Sequence, residues 1–176
     1  MKRFNIAFQP INTNLQNLFV DLSQKYFGAV HDDYLLGKDG LAHVTLSQFY
    51  TEDDATALEA FQTFSHKSDI ELVIRTFRLR PGTNDNSDKY MAEILIEKSL
   101  ELLERQKSCF EHLEAKGIEP LTLPETYSPH ITLARLSKPL TPPSDLELAV
   151  PSFEKAPFRL VLGTATHSGV LTKILS

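Results

Sequence analysis

From residue 3 to residue 10 the chain alternates, with Phe4, Ile6 and Phe8 on one face and Asn5 and Ala7 on the other. That period of two predicts a strand ended by Pro10. The pattern then changes to helical spacing, with Leu15, Leu18, Phe19 and Leu22 on one stripe, Thr13 or Asn14 placed to cap the start and Gly28 at the end. After a loop of mixed character, "AHVTLSQFY" alternates again and reads as a strand. Thr51 opens an amphipathic helix with acidic residues in its first turn and Leu58 and Phe61 inward. "DIELVIRTFRLRPG" reads as a long strand, "TNDNSD" as a turn and "KYMAEILIE" as a further strand. A helix follows with Leu103, Phe110 and Leu113 inward and Gly117 closing it, and then the strand "YSPHITLARL". Eight of the ten prolines lie between Pro120 and Pro157, so "SKPLTPPSDLELAVPSFEKAP" reads as irregular surface chain. The last segment reads as a hairpin turning near "HSG".

These elements form two runs with one order. Phe4 precedes His43 by 39 residues and Tyr90 precedes His130 by 40. Each interval holds a strand, a helix ending in glycine, a loop and a strand carrying H-x-T-L. That is an internal duplication marked by spacing and element order. It supports a single domain of 176 residues in which two such units, approximately 1–80 and 89–176, pack as pseudo-symmetric lobes with corresponding strands on either side of a shared cleft.

The phrases "HVTL" at 43–46 and "HITL" at 130–133 carry the candidate chemistry. Residues two apart on a strand share a face, so His43 lies beside Thr45 and His130 beside Thr132, with the apolar residues between them turned to the packing. Two imidazoles across a cleft can serve as general base and general acid near neutral pH. Threonine hydroxyls can donate to the non-bridging oxygens of a phosphate under attack. A single H-x-T is weak, because chance gives about half an instance in such a chain, whereas the doubled tetrapeptide falls on the order of less than once in a thousand. A duplication could also keep both copies without using them. Neither copy has a second ligand at metal-binding spacing, and no metal is expected.

Charge narrows the partners. A net charge of -5 and a pI near 5.7 do not suit a surface that grips long nucleic acid, but they allow a small anion in a local pocket. "RTFRLRP" offers Arg75, Arg78 and Arg80 either to an anionic ligand or as charges on a protected sheet edge. Cys109, the single cysteine, sits in a helical apolar pattern and reads as a packing residue. His31 and His167 read as loop or turn residues, and His66 and His112 as solvated. The start has no apolar run suited to a signal peptide and no stretch suits a membrane span, so a soluble cytoplasmic protein is the expectation. No apolar stretch stands out as an interface, and a monomer is expected.

The doubled H-x-T-x pattern resembles that of the 2H phosphoesterase superfamily, which includes bacterial 2′-5′ RNA ligase-like proteins and cyclic nucleotide phosphodiesterases. "RFNIAFQP" is similar to the family's opening strand, and "YSPHITLAR", with Pro129 before the histidine and Arg135 after it, is similar to its second motif. The resemblance implies an α+β fold of two pseudo-symmetric lobes of antiparallel sheet with flanking helices around a central cleft. It implies His43 and His130 as the acid–base pair, Thr45 and Thr132 as phosphate ligands, and Tyr127 either as a wall of the cleft or as a packing aromatic beside Pro129. It implies hydrolysis of 2′,3′-cyclic phosphates on nucleotides or short RNA ends without metal or other cofactor. Alternatives within the same resemblance are making and breaking 2′-5′ RNA linkages, or holding a nucleotide or RNA end without turnover. Which histidine is the acid depends on how the substrate lies.

Overall fold

The computed structural model describes residues 1–66, 68–83 and 86–176, so the turn expected over 83–88 lies partly outside the described residues. In chain order the elements are β1 (Lys2–Pro10), α1 (Thr13–Phe27), β2 (Val44–Thr51), α2 (Asp54–Thr63), β3 (Ile70–Pro81), β4 (Tyr90–Ile96), α3 (Leu100–Ala115), β5 (His130–Leu136), α4 (Ser144–Ala149), β6 (Lys155–Ala165) and β7 (Leu171–Ile174). Every strand pairing is antiparallel, in the order β2-β1-β6-β3-β4-β5 with β7 beside β6.

That order is a palindrome of the duplicated unit. Each half of the sheet takes two strands from one repeat and its third from the other: β6 joins β1 and β2, and β3 joins β4 and β5. The lobes expected at approximately 1–80 and 89–176 are therefore interleaved in space. The helices cross as well, α1 packing on β5 and α3 on β2. One buried cluster runs through both halves, from Phe4, Phe8 and Phe49 to Ile94, Leu133 and Phe158. Fully burying each such side chain contributes roughly 1.5–3 kcal/mol, so the exchange of strands and helices ties the halves into one core.

Local differences from the sequence reading have local causes. Asn12 caps α1, its side chain accepting from the Asn14 amide, one residue before the expected cap. Thr51 is still in β2, opposite Lys2, and Asp53 caps α2 by accepting from the Thr56 amide. On α3 the fully covered face is Leu102, Arg105, Gln106, Cys109 and Leu113, while Leu103 and Phe110 lie half-buried at its margin. On α2, Leu58 is likewise half-buried, and Ala57, Ala60 and Phe61 face the core. The proline-rich stretch is not all irregular: it contains α4, whose Leu146 is buried, and it enters β6, where Pro157 pairs with Glu71. Gly117 takes the left-handed conformation with φ +72, whereas Gly28 stays right-handed. Burial pushes the Cys109 thiol up to about 12, in keeping with a packing role. Among the described residues no helix is long and apolar enough to cross a membrane.

Candidate active site

Both H-x-T-L phrases sit on bulged strands. Thr45 pairs with Ala7 and Ser47 with Ile6, which leaves Leu46 without a partner. Thr132 pairs with Glu93 and Ala134 with Ala92, which leaves Leu133 without one. The fourth residue of each phrase is thus the extra residue of a β-bulge, and both leucines are wholly buried. A bulge re-phases the alternation. The cleft face therefore reads His43, Thr45, Gln48 and Tyr50 on one side and His130, Thr132 and Arg135 on the other, all lining one cavity of about 590 Å³.

The two imidazoles are anchored alike. His43 Nδ1 lies 2.7 Å from the carbonyl oxygen of Leu41, and His130 Nδ1 lies 2.7 Å from that of Ser128. A carbonyl only accepts, so each Nδ1 carries a proton and each Nε2 is the atom left to act. Burial holds the His43 imidazole down to about 4; the Leu41 hydrogen bond works against this and the neighbouring His130 adds to it. His43 is therefore neutral near pH 7, with a free lone pair on Nε2.

The threonines are positioned from the neighbouring strand and the opposite repeat. Asn5 Nδ2 donates to Thr45 Oγ1 at 2.9 Å, which leaves the Thr45 hydroxyl proton available to a ligand. Tyr127 is buried; it lines the cavity and its hydroxyl donates to the Thr45 carbonyl at 2.9 Å. Tyr34, which the sequence reading did not single out, does the same in reverse, donating to the Thr132 carbonyl at 3.3 Å. Each tyrosine comes from the loop before one histidine and braces the strand of the other.

The bulges also bring in two residues that strict alternation would turn away. Gln48 accepts from Arg3 at 2.6 Å and donates to the Gly169 carbonyl at 3.0 Å. Arg135 donates to the hydroxyl and the carbonyl of Ser168, both at 2.9 Å. The residue five places after each histidine thus holds the same β6–β7 turn. His167, on that turn as expected, also lines the cavity, and the Tyr50 hydroxyl meets its Nδ1 at 3.2 Å. His112 is half-buried rather than solvated, with Nε2 at 2.8 Å from the Ala60 carbonyl.

The arginines of "RTFRLRP" have a third use. β6 pairs with β3 only over Ile70–Val73, so at Arg78 and Arg80 the strand is paired with β4 and not with β6. Arg78 and Arg80 both clasp Glu93, which is wholly buried on β4. The signal for Glu93 was an acidic residue inside the apolar run "YMAEILIE", because a buried carboxylate needs partners. Among the described residues no group of three or more His, Cys, Asp or Glu side chains is gathered as metal ligands would be.

No protein-family model matches the chain, and no curated protein matches it by sequence. Solved structures match nearly the whole length. A phosphoesterase matches with TM-score 0.67 and 14% identity, over 100% of this chain and 96% of that one. E. coli LigT complexed with 3'-AMP matches with TM-score 0.68 and 14% identity, over 98% and 93%. Kluyveromyces marxianus Usb1 matches with TM-score 0.53 and 12% identity, over 98% and 95%. The chain has the two-lobed α+β fold of these structures, the fold that its resemblance to the 2H phosphoesterase superfamily implied.

Proposed function

We propose that this protein is a 2H-type phosphoesterase that opens 2′,3′-cyclic phosphates of nucleotides or short RNA ends, using His43 and His130 as its acid–base pair. The observation that carries the reading is the pair of imidazoles, each anchored to a carbonyl through Nδ1 and both lining one cavity. One Nε2 takes the proton of an attacking water. The water oxygen bonds to phosphorus as one ribose P–O bond breaks, and the other Nε2 gives that ribose oxygen a proton. Thr45 and Thr132 donate to the non-bridging oxygens, where charge accumulates. A nucleotide ligand is supported by the E. coli LigT complex with 3'-AMP. The scheme balances without a metal.

The experiment is turnover of the four nucleoside 2′,3′-cyclic phosphates in excess chelator, beside His43→Ala and His130→Ala. Product that forms in chelator and is lost in both variants supports the reading, and activity surviving both substitutions overturns it. Binding of a cyclic nucleotide without product over long incubation would identify a binding module instead. Joining of RNA halves would identify 2′-5′ ligation, which uses the same proton transfers at the same phosphorus.

A further inference from the structure

One buried carboxylate distinguishes the two halves of the cleft. Glu93 has no exposed surface. Its Oε2 accepts from Arg78 Nη2 at 2.7 Å and from Arg80 Nε at 3.1 Å. Its Oε1 stands 2.8 Å from Arg80 Nη2 and 3.3 Å from His130 Nε2, yet no donor is aligned to hydrogen-bond with it. A buried carboxylate oxygen without an aligned donor is costly, and after the Arg80 guanidinium the group standing next to it is the His130 imidazole.

The contact has a chemical requirement. His130 Nδ1 already donates to the Ser128 carbonyl, so in a neutral ring the Nε2 lone pair would stand 3.3 Å from an oxygen that only accepts. The pair attracts only when Nε2 also carries a proton. The corresponding positions around His43 are Ala7, opposite Thr45, and Val161, opposite Ala7. We propose that Glu93 is a positioning residue that holds a proton on His130 Nε2 and so makes His130 the donor of the pair, with His43 the acceptor. This rests on the phosphoesterase reading. In hydrolysis, water gives its proton to His43 Nε2 as its oxygen bonds to phosphorus. The departing ribose oxygen takes the proton from His130 Nε2, and the pair resets as His43 Nε2 releases its proton to solvent and His130 Nε2 takes one up.

Several charges act on this imidazole. Glu93 on β4 attracts a proton to it, whereas Arg78 and Arg80 on β3 oppose one, as does Arg135 on its own strand; His43, neutral near pH 7, adds no charge. Two substitutions should therefore act in opposite directions. Glu93→Gln removes the attracting charge and should move the alkaline limb of the kcat/KM profile for a 2′,3′-cyclic nucleotide to lower pH by about one unit. Arg80→Gln removes an opposing charge and should move that limb to higher pH. The ring proton resonance of His130, assigned by its loss in His130→Ala, should follow the same displacements in each variant.

A limb and a resonance that stay in place in folded Glu93→Gln, or that move the same way in both variants, overturn the proposal. A packing role for Glu93 would lower the rate without moving either. If Glu93→Gln does not fold, Arg80→Gln decides alone: displacement to higher pH supports the proposal, and any other result overturns it. Should no cyclic nucleotide turn over, the phosphoesterase reading fails by itself, and the resonance still reports whether Glu93 governs the proton on His130.

Discussion

Around His43, the strands opposite Thr45 present Ala7 and then Val161; around His130, the matching positions hold Glu93 and then Arg78. The backbone is the same in both halves: a bulge at the leucine, an imidazole anchored by Nδ1 to the carbonyl two residues before, and a tyrosine bracing from the other repeat. The surroundings differ. A half-buried imidazole in an apolar frame stays neutral, while one facing an ion-pair cluster meets charge. The duplication thus supplies two equal supports, and side chains on neighbouring strands make them unequal, as the proposed acid–base reaction would require.

The comparison is tested most severely at the histidines themselves. His43→Ala and His130→Ala should each lower turnover of a 2′,3′-cyclic nucleotide by about 10²–10⁴-fold, and the double variant should lose little more than either alone. Losses that multiply in the double variant would mean that the halves do not work as one unit. Next come the bulge leucines. Leu46→Ala and Leu133→Ala each empty a wholly buried site and should cost about 2–5 kcal/mol in urea unfolding. Similar costs would confirm that the halves are mechanically equivalent, and very unequal costs would break the symmetry at the backbone as well.

The burial of His43 should make stability depend on pH. The unfolded chain binds a proton on His43 near the ordinary value of 6.5, whereas the folded protein binds it only near about 4. Folding stability from this group is therefore full above the unfolded value and is lost as the pH falls through that window. The urea midpoint of the wild type, relative to His43→Gln, should fall between pH 7 and pH 4.5. A difference that does not vary over that range would contradict the burial of His43. The smallest effects belong to the braces. Tyr127→Phe should cost about 0.5–1.5 kcal/mol, and Tyr34→Phe less, because its hydrogen bond is 3.3 Å long against 2.9 Å.

Much of this was legible along the chain. Alternation located β1 and β2, helical spacing located α1 and α3, and the matched spacing of the H-x-T-L phrases pointed to a repeat before any pairing was known. Helix faces were less legible. Leu103 and Phe110 have the hydrophobicity expected of a buried face, yet Arg105 and Gln106 are covered instead, because Arg105 reaches the Ser68 carbonyl and Gln106 the Thr122 carbonyl. Partners that distant leave no local pattern. Gln48 and Arg135 were hidden differently: a period of two turns them away from His43 and His130, and only the unpaired leucine returns them to the cleft.

The sequence alone determined most of the elements, though not α4, and the matched spacing of the two H-x-T-L phrases, because each depends on the residues of its own segment. Tertiary structure alone decided that β3 and β6 change places between the halves, that Tyr34 and Tyr127 brace across the cleft, and that Glu93 stands beside His130 with two arginines. Those features depend on strand register, which is set by pairing between segments far apart in the chain. The same register leaves Leu46 and Leu133 unpaired, and so decides which side chains face the cleft.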